Sequence, residues 1–153
     1  MSLGLKRDKR FIQGFYKCKN VEKYSGKDAP IYRSGIELKF FKFCDDSPNV
    51  VKWSSEPLPI PYFDTVTHKW RKYYVDNFVE ILEGSTVKKY LIEIKDIKEA
   101  KAPIRKKGKR KATILFEQTR YETNTCKWSF ADKFCKEHRM EFLLLGYSEK
   151  NGF

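Results

Sequence analysis

Four residues of this chain have the types and spacing to do chemistry together: Glu37, Asp76, Glu93 and Lys95. Three are carboxylates in an otherwise strongly basic protein. Hard carboxylate oxygens without a His or Cys cluster suit Mg²⁺ or Mn²⁺ better than Zn²⁺. A divalent ion held by such oxygens offsets phosphate charge and acidifies a bound water, which is the chemistry of phosphodiester hydrolysis. Three carboxylates gathered without a cation would repel one another and shift their own protonation.

Each of these residues, taken singly, also has an ordinary explanation. In Glu93-Ile94-Lys95 strand alternation turns Ile92 and Ile94 to one face and Glu93 and Lys95 to the other. A half-exposed strand with alternating charge reads the same way. Asp76 interrupts the aromatic run Tyr73-Tyr74-Val75-Asp76-Asn77-Phe78, where Asp is disfavoured. It marks a bulge, a strand end or a function. Ser34-Gly35-Ile36-Glu37 fits the capping box S-x-x-E. At roughly 100° per residue, Glu37 falls opposite the polar stripe of Lys39, Lys42 and Asp46, beside Phe40, Phe41 and Cys44. An unpaired carboxylate is costly there, and a metal or a lysine partner would remove that cost.

The elements that must position these residues follow from periodicity and breakers. A helix is expected over Ser34–Cys44, with Ile36, Phe40, Phe41, Phe43 and Cys44 off the polar stripe. Val50–Ser55 and Leu58–Tyr62 read as short strands broken by Pro57, Pro59 and Pro61. A turn around Asp64 and His68 leads into one longer strand, Trp70–Leu82. A turn at Glu83-Gly84-Ser85 joins it to Val87–Ile97, which suggests an antiparallel meander. A flexible basic loop, Lys98–Lys111, runs into a helix over Ala112–Tyr121. Asn124 is expected to cap a second helix reaching His138, with Trp128, Ala131, Phe134 and Cys135 inward. Glu141–Tyr147 is a last apolar strand. Residues 1–30 read as a Lys-rich arm with scattered aromatics (Phe11, Phe15, Tyr16, Tyr24), carrying short strands or forming a partly disordered tail. Residues 31–153 are expected to form one domain.

Charge narrows the partners. The 153 residues hold 32 Lys+Arg against 20 Asp+Glu, a formal charge of +12, so a polyanion is expected and nucleic acid comes first. A membrane-surface protein is the competing class, but the chain shows no lipidation signal and no long basic amphipathic helix. No apolar run suits a membrane span, and Met1–Arg10 lacks an apolar signal core, so an intracellular protein is expected. Cys18, Cys44, Cys126 and Cys135 form no C-x-x-C pair and read as reduced thiols. His68 and His138 are too far apart in sequence to suggest zinc. Six of the seven positions Arg105–Lys111 are basic: Arg105, Lys106, Lys107, Lys109, Arg110 and Lys111. With Arg33 and Lys52 they are the candidate phosphate contacts, because counterion release makes such clusters effective. A solvated charged surface is the plainer alternative.

The order helix Glu, strand Asp, strand Glu-x-Lys resembles the PD-(D/E)xK nuclease superfamily, and within it the TnsA-like endonucleases and the head completion nucleases of T-even-type phages. The stretches that carry the likeness are Tyr32–Glu37, Val51–Glu56, Tyr73–Phe78, Leu91–Lys95 and Asn124–Ala131, spanning roughly residues 30–147. Val75 stands where such families usually have Pro, and Asn77 where they often have Phe. The N-terminal arm and the Arg105–Lys111 loop lie outside the family pattern.

The resemblance implies an α/β restriction-endonuclease-like core, a central mixed sheet flanked by helices. It implies a Mg²⁺-dependent endodeoxyribonuclease, with Mn²⁺ as a substitute. Asp76, Glu93, the main-chain carbonyl of Ile94 and Glu37 would hold the ion, and Lys95 would orient the attacking water. The implied partners are DNA and the portal or other virion head proteins, with no membrane. The implied setting is the host cytoplasm during assembly, with incorporation into the virion, after DNA packaging and before tail attachment. The main rival is a non-catalytic basic DNA-binding structural protein of the virion head. A structure-specific or RNA-directed nuclease using the same residues is a second.

Overall fold

The computed structural model describes residues 12–148. Two short strands, β1 (Gly14–Phe15) and β2 (Ile31–Tyr32), pair antiparallel ahead of helix α1 (Gly35–Asp46). Ser34 starts α1 because its extended backbone (φ −153°) lets its hydroxyl accept from the Glu37 N–H at 3.2 Å. Phe40, Phe41 and Cys44 bury one side of the helix, while Phe43, also off the polar stripe, is exposed.

Six strands follow: β3 (Val50–Ser55), β4 (Pro59–Asp64), β5 (Lys69–Tyr74), β6 (Asn77–Glu83), β7 (Thr86–Asp96) and, after two helices, β8 (Glu141–Tyr147). The helices are α2 (Ile97–Ala100) and α3 (Lys111–Glu137). The main sheet has the order β3-β6-β7-β8. Its first three strands are antiparallel, and β8 lies parallel to β7. A parallel neighbour needs a long crossover, and α2, the loop after it and α3 supply one. The sheet is therefore mixed, as the family resemblance implies. Gly84, at φ +63°, closes the tight β6–β7 turn between the paired residues Glu83 and Thr86.

Alternation along β7 divides the core. Tyr90, Ile92 and Ile94 pack with Phe40, Phe41, Cys44 and Trp53 on the α1 side. Leu91 packs with Ala131 and Cys135 of α3 and with Tyr62 and Tyr73 of the β4–β5 hairpin on the other. Glu93 and Lys95 continue the Leu91 row, so the active-site candidates face α3 and the hairpin.

Three expectations change. The single strand over Trp70–Leu82 is two strands in different sheets, parted at Val75 and Asp76. There the Asp76 carbonyl accepts from the Glu56 N–H at 2.8 Å, and its own N–H turns to a side chain, so the ladder cannot run through. The meander is interrupted accordingly: β3 pairs with β6, and β4 and β5 form a separate hairpin. The two expected helices are one helix of 27 residues, and Asn124 lies buried inside it instead of capping anything. No Gly or Pro separates the two halves, and packing of α3 against the hairpin overrides the weak helix propensity of Thr and Asn.

Residues 12–30 lie against α1 and β3. Tyr16 is buried, and Tyr24 bridges to Trp53. The fully buried Asp45 carboxylate accepts from the Tyr16 hydroxyl (2.7 Å), the Lys19 N–H (2.8 Å) and the Asn20 N–H (2.9 Å). Phe11 and the rest of residues 1–11 lie outside the described residues. Among the described residues no helix is long and apolar enough to cross a membrane, which says nothing about β-barrels. Cys18, Cys44, Cys126 and Cys135 are free thiols.

Candidate active site

The break between β5 and β6 brings Asp76 against β7. The Ile94 N–H donates to Asp76 Oδ2 at 2.8 Å, and the Asp76 N–H donates to Glu93 Oε2 at 3.3 Å. Lys95 Nζ stands 3.6 Å from Glu93 Oε1. Three of the four expected residues thus meet through contacts that side-chain chemistry and strand register impose together.

The electrostatics of this cluster are strained without a cation. Burial pushes the Asp76 carboxyl up to about 7. The Glu93 charge adds to the rise, as does Glu37, while the Ile94 N–H and Lys95 oppose it. Two acidic groups share a partly dry site with one lysine beside them, so a proton or another cation relieves their repulsion. Among the described residues no three His, Cys, Asp or Glu side chains converge to enclose an ion by themselves.

Glu37, on α1, acts on Asp76 through its charge and has a structural task as well. Its Oε2 accepts from the Arg33 N–H at 3.0 Å, while its own N–H is taken by Ser34. This is a capping arrangement shifted back by one residue from the usual reciprocal box. Arg33 in turn bonds Glu56 Oε1 at 2.9 Å. Glu56 sits at φ +46° and donates its N–H to the Asp76 carbonyl. A chain of contacts thus runs from the start of α1 through the end of β3 to the strand break.

The expected phosphate contacts are spread over the surface. Lys52 is exposed on the edge strand β3. Arg105, Lys106, Lys107, Arg110 and Lys111 are exposed around the start of α3. Lys109 is different, because its ammonium bonds Glu117 at 2.7 Å and the Ile104 carbonyl at 3.3 Å. A cleft of about 600 Å³ lies between this loop and α3, with Lys98, Lys101, Lys106 and Arg120 on its walls. Asp96, the residue after Lys95 in the chain, also lines it.

Sequence reasoning passed over two residues near the cluster. Tyr73 is buried, and its hydroxyl stands beside the Glu93 carboxylate, outside good hydrogen-bond geometry. Burial, then the neighbouring Glu93 charge, pushes its phenol far above the ordinary value. Lys127, on α3, sits over the Tyr62 and Tyr73 rings at 5.9 and 5.6 Å. Burial lowers its ammonium below the ordinary lysine value, Lys95 lowers it further, and Glu93 opposes both. The one available signal was its place in the stretch Asn124–Ala131.

Known proteins resemble this chain over most of its length. The family model for the TnsA-like endonuclease N-terminal domain matches residues 47–146. The head completion nuclease of Enterobacteria phage T4 is 32% identical over 131 residues, covering 83% of this chain and 85% of that protein. The family match takes in Asp76, Glu93, Lys95 and Lys127, while Glu37 precedes it. With two thirds of its length matched, including the whole strand–break–strand unit and α3, the chain belongs to the TnsA-like endonucleases and has their restriction-endonuclease-like fold.

Proposed function

We propose that this protein is a divalent-metal-dependent DNA endonuclease that acts in phage head completion, after packaging and before tail attachment. The observation that carries the reading is the interlock of Asp76 and Glu93 with Lys95 3.6 Å from Glu93. Family membership supports the nuclease activity, and the likeness to the T4 head completion nuclease supports the setting.

The donors fit Mg²⁺, with Mn²⁺ as a substitute. Mg²⁺ is commonly held by one or two carboxylates and takes its other ligands from water and phosphate, so a three-residue cage is not required. Asp76, Glu93 and the main-chain carbonyl of Ile94 would hold the ion, with Glu37 as the outer acid. Bound there, it supplies Lewis acidity and a water of lowered pKa. Asp76 would hold the ion as a carboxylate, since a metal ligand must be deprotonated. Lys95 orients the attacking water and balances charge that develops on the phosphoryl oxygens. Arg33, Lys52, Arg105, Lys106, Lys107, Lys109, Arg110 and Lys111 line the route for the DNA backbone. The partners in this reading are DNA and the portal or other head proteins, met in the host cytoplasm and carried into the virion.

A plasmid assay tests it. Supercoiled DNA is incubated with the protein in Mg²⁺, Mn²⁺ or EDTA, beside Asp76→Asn. Metal-dependent nicking or linearisation that the variant lacks supports the reading. Salt-sensitive binding with no cutting in any metal sinks it in favour of a basic structural protein of the head, to which the +12 charge would then be the guide.

A further inference from the structure

Lys127 is a half-buried cation with no part in the chemistry described so far. Its ammonium is seated over two ring faces, those of Tyr62 and Tyr73, which are themselves 2% and 4% exposed. The nearby buried acid, Asp64, is already engaged: Arg71 stands 3.5 Å away, and the Val66 N–H and the Thr123 hydroxyl donate to it. Glu93 has Lys95. Lys127 is therefore held by aromatic faces on the α3 side of β7, the side to which the row Leu91, Glu93 and Lys95 turns.

Formal charge gives that position a use. Glu37, Asp76 and Glu93 are three negative charges. Lys95 and one divalent ion match them, so an entering phosphodiester anion would stay uncompensated. The deficit grows as negative charge develops on the phosphoryl oxygens during attack. A second ammonium across from Lys95 supplies the missing charge. The Tyr faces suit this task, because a cation–π seat places an ammonium without tying it to a carboxylate that would neutralise it.

We propose that Lys127 is a second phosphate-binding lysine of the active site, reaching from α3 to a non-bridging oxygen of the scissile phosphodiester opposite Lys95. This rests on the nuclease reading of the site. Lys127→Met keeps the length and apolar stem that pack on the rings, and Lys127→Arg keeps the charge.

The test compares wild type, Lys127→Met, Lys127→Gln, Lys127→Arg and Asp76→Asn in the full chain. Single-turnover cleavage is measured in Mg²⁺ with protein in excess, together with DNA affinity in Ca²⁺ and melting temperature. Lys127→Met and Lys127→Gln are expected to slow cleavage about 10²-fold, with affinity within about threefold of wild type, the scale of removing one charge that acts in the transition state. Lys127→Arg is expected to recover most of the rate. Two neutral variants guard against one that fails to fold. Wild-type cleavage by either folded neutral variant, with Asp76→Asn dead, overturns the role of Lys127 alone. A lower melting temperature with an unchanged rate also overturns it and leaves Lys127 as a packing residue. A wild type that leaves DNA intact, or an Asp76→Asn that cuts as well as wild type, overturns the nuclease reading and this inference with it.

Discussion

The carboxylates of Asp76 and Glu93 are each held by a backbone N–H beside the other acid. The Asp76 N–H donates to the Glu93 carboxylate at 3.3 Å, and the N–H just after Glu93, that of Ile94, donates to the Asp76 carboxylate at 2.8 Å. Two acids that repel are thereby fixed side by side with no bond between their carboxylates. Such preorganisation is what a hard cation needs, since the geometry is already set before it binds.

The first prediction follows from that interlock. Asp76→Asn, Glu93→Gln and Lys95→Ala should each lower metal-dependent cleavage by about 10²–10⁴-fold or more. Circular dichroism should show the fold retained. A folded variant that cuts at the wild-type rate would remove that residue from the chemistry.

Glu37 separates two tasks. Gln can still accept from the Arg33 N–H but carries no charge, so Glu37→Gln should keep its melting temperature and cut at least about tenfold more slowly, a smaller loss than for Asp76→Asn. Glu37→Ala should also destabilise, by about 0.5–2 kcal/mol, as losing a cap does. If the Gln variant cuts normally, the residue is a cap and no more.

The basic segment can be tested by its salt slope. Neutralising Arg105, Lys106, Lys107, Arg110 and Lys111 together should flatten the dependence of log K on log salt, by roughly 0.9 for each duplex phosphate that the variant no longer neutralises. Lys109 is left out because Glu117 already holds it. Its own replacement should lower affinity less than that of an exposed neighbour. Fluorescence anisotropy at several salt concentrations reads both, and an unchanged slope would place the segment off the DNA.

Asp45 carries a prediction about acid stability. Burial alone would raise its carboxyl, but the Lys19 N–H, the Tyr16 hydroxyl and the Asn20 donors outweigh that and hold it below the usual carboxylate value. A lowered folded value contributes stability above the unfolded pKa of roughly 3.9, and that stability is lost as pH falls through the folded value. Asp45→Asn should cost about 2–3 kcal/mol near neutrality, lowering the melting temperature by roughly 5–10 °C. The gap should close as pH falls below about 4. Calorimetry from pH 7 down to pH 3 decides it, and a gap that ignores pH would show that Asp45 acts only through packing.

Legibility in the chain differed from element to element, for physical reasons. The α1 cap, the tight turn at Gly84 and the alternation of Ile92, Glu93, Ile94 and Lys95 depend on neighbours within a few residues, and all stand as the pattern indicates. The break at Asp76 was visible only as an awkward residue in an aromatic run. Its consequence, two strands in two sheets, needed Glu56 and Glu93 to claim its backbone. The length of α3 was hidden because Thr and Asn are weak local stop signals that packing overrides.

From the residues alone came the chemistry on offer: three acids and a lysine on a basic chain, in the order of a nuclease family, with the local elements to carry most of them. Tertiary structure alone decided that Lys127 sits over the Tyr62 and Tyr73 rings, that Asp45 ties down the segment before α1, and that Asp76 meets β7 through its own N–H and that of Ile94. Periodicity reports which face of its own element a side chain takes. It carries no information about which distant side chain waits across that face, because that depends on how sheets and helices stack after the chain has closed on itself.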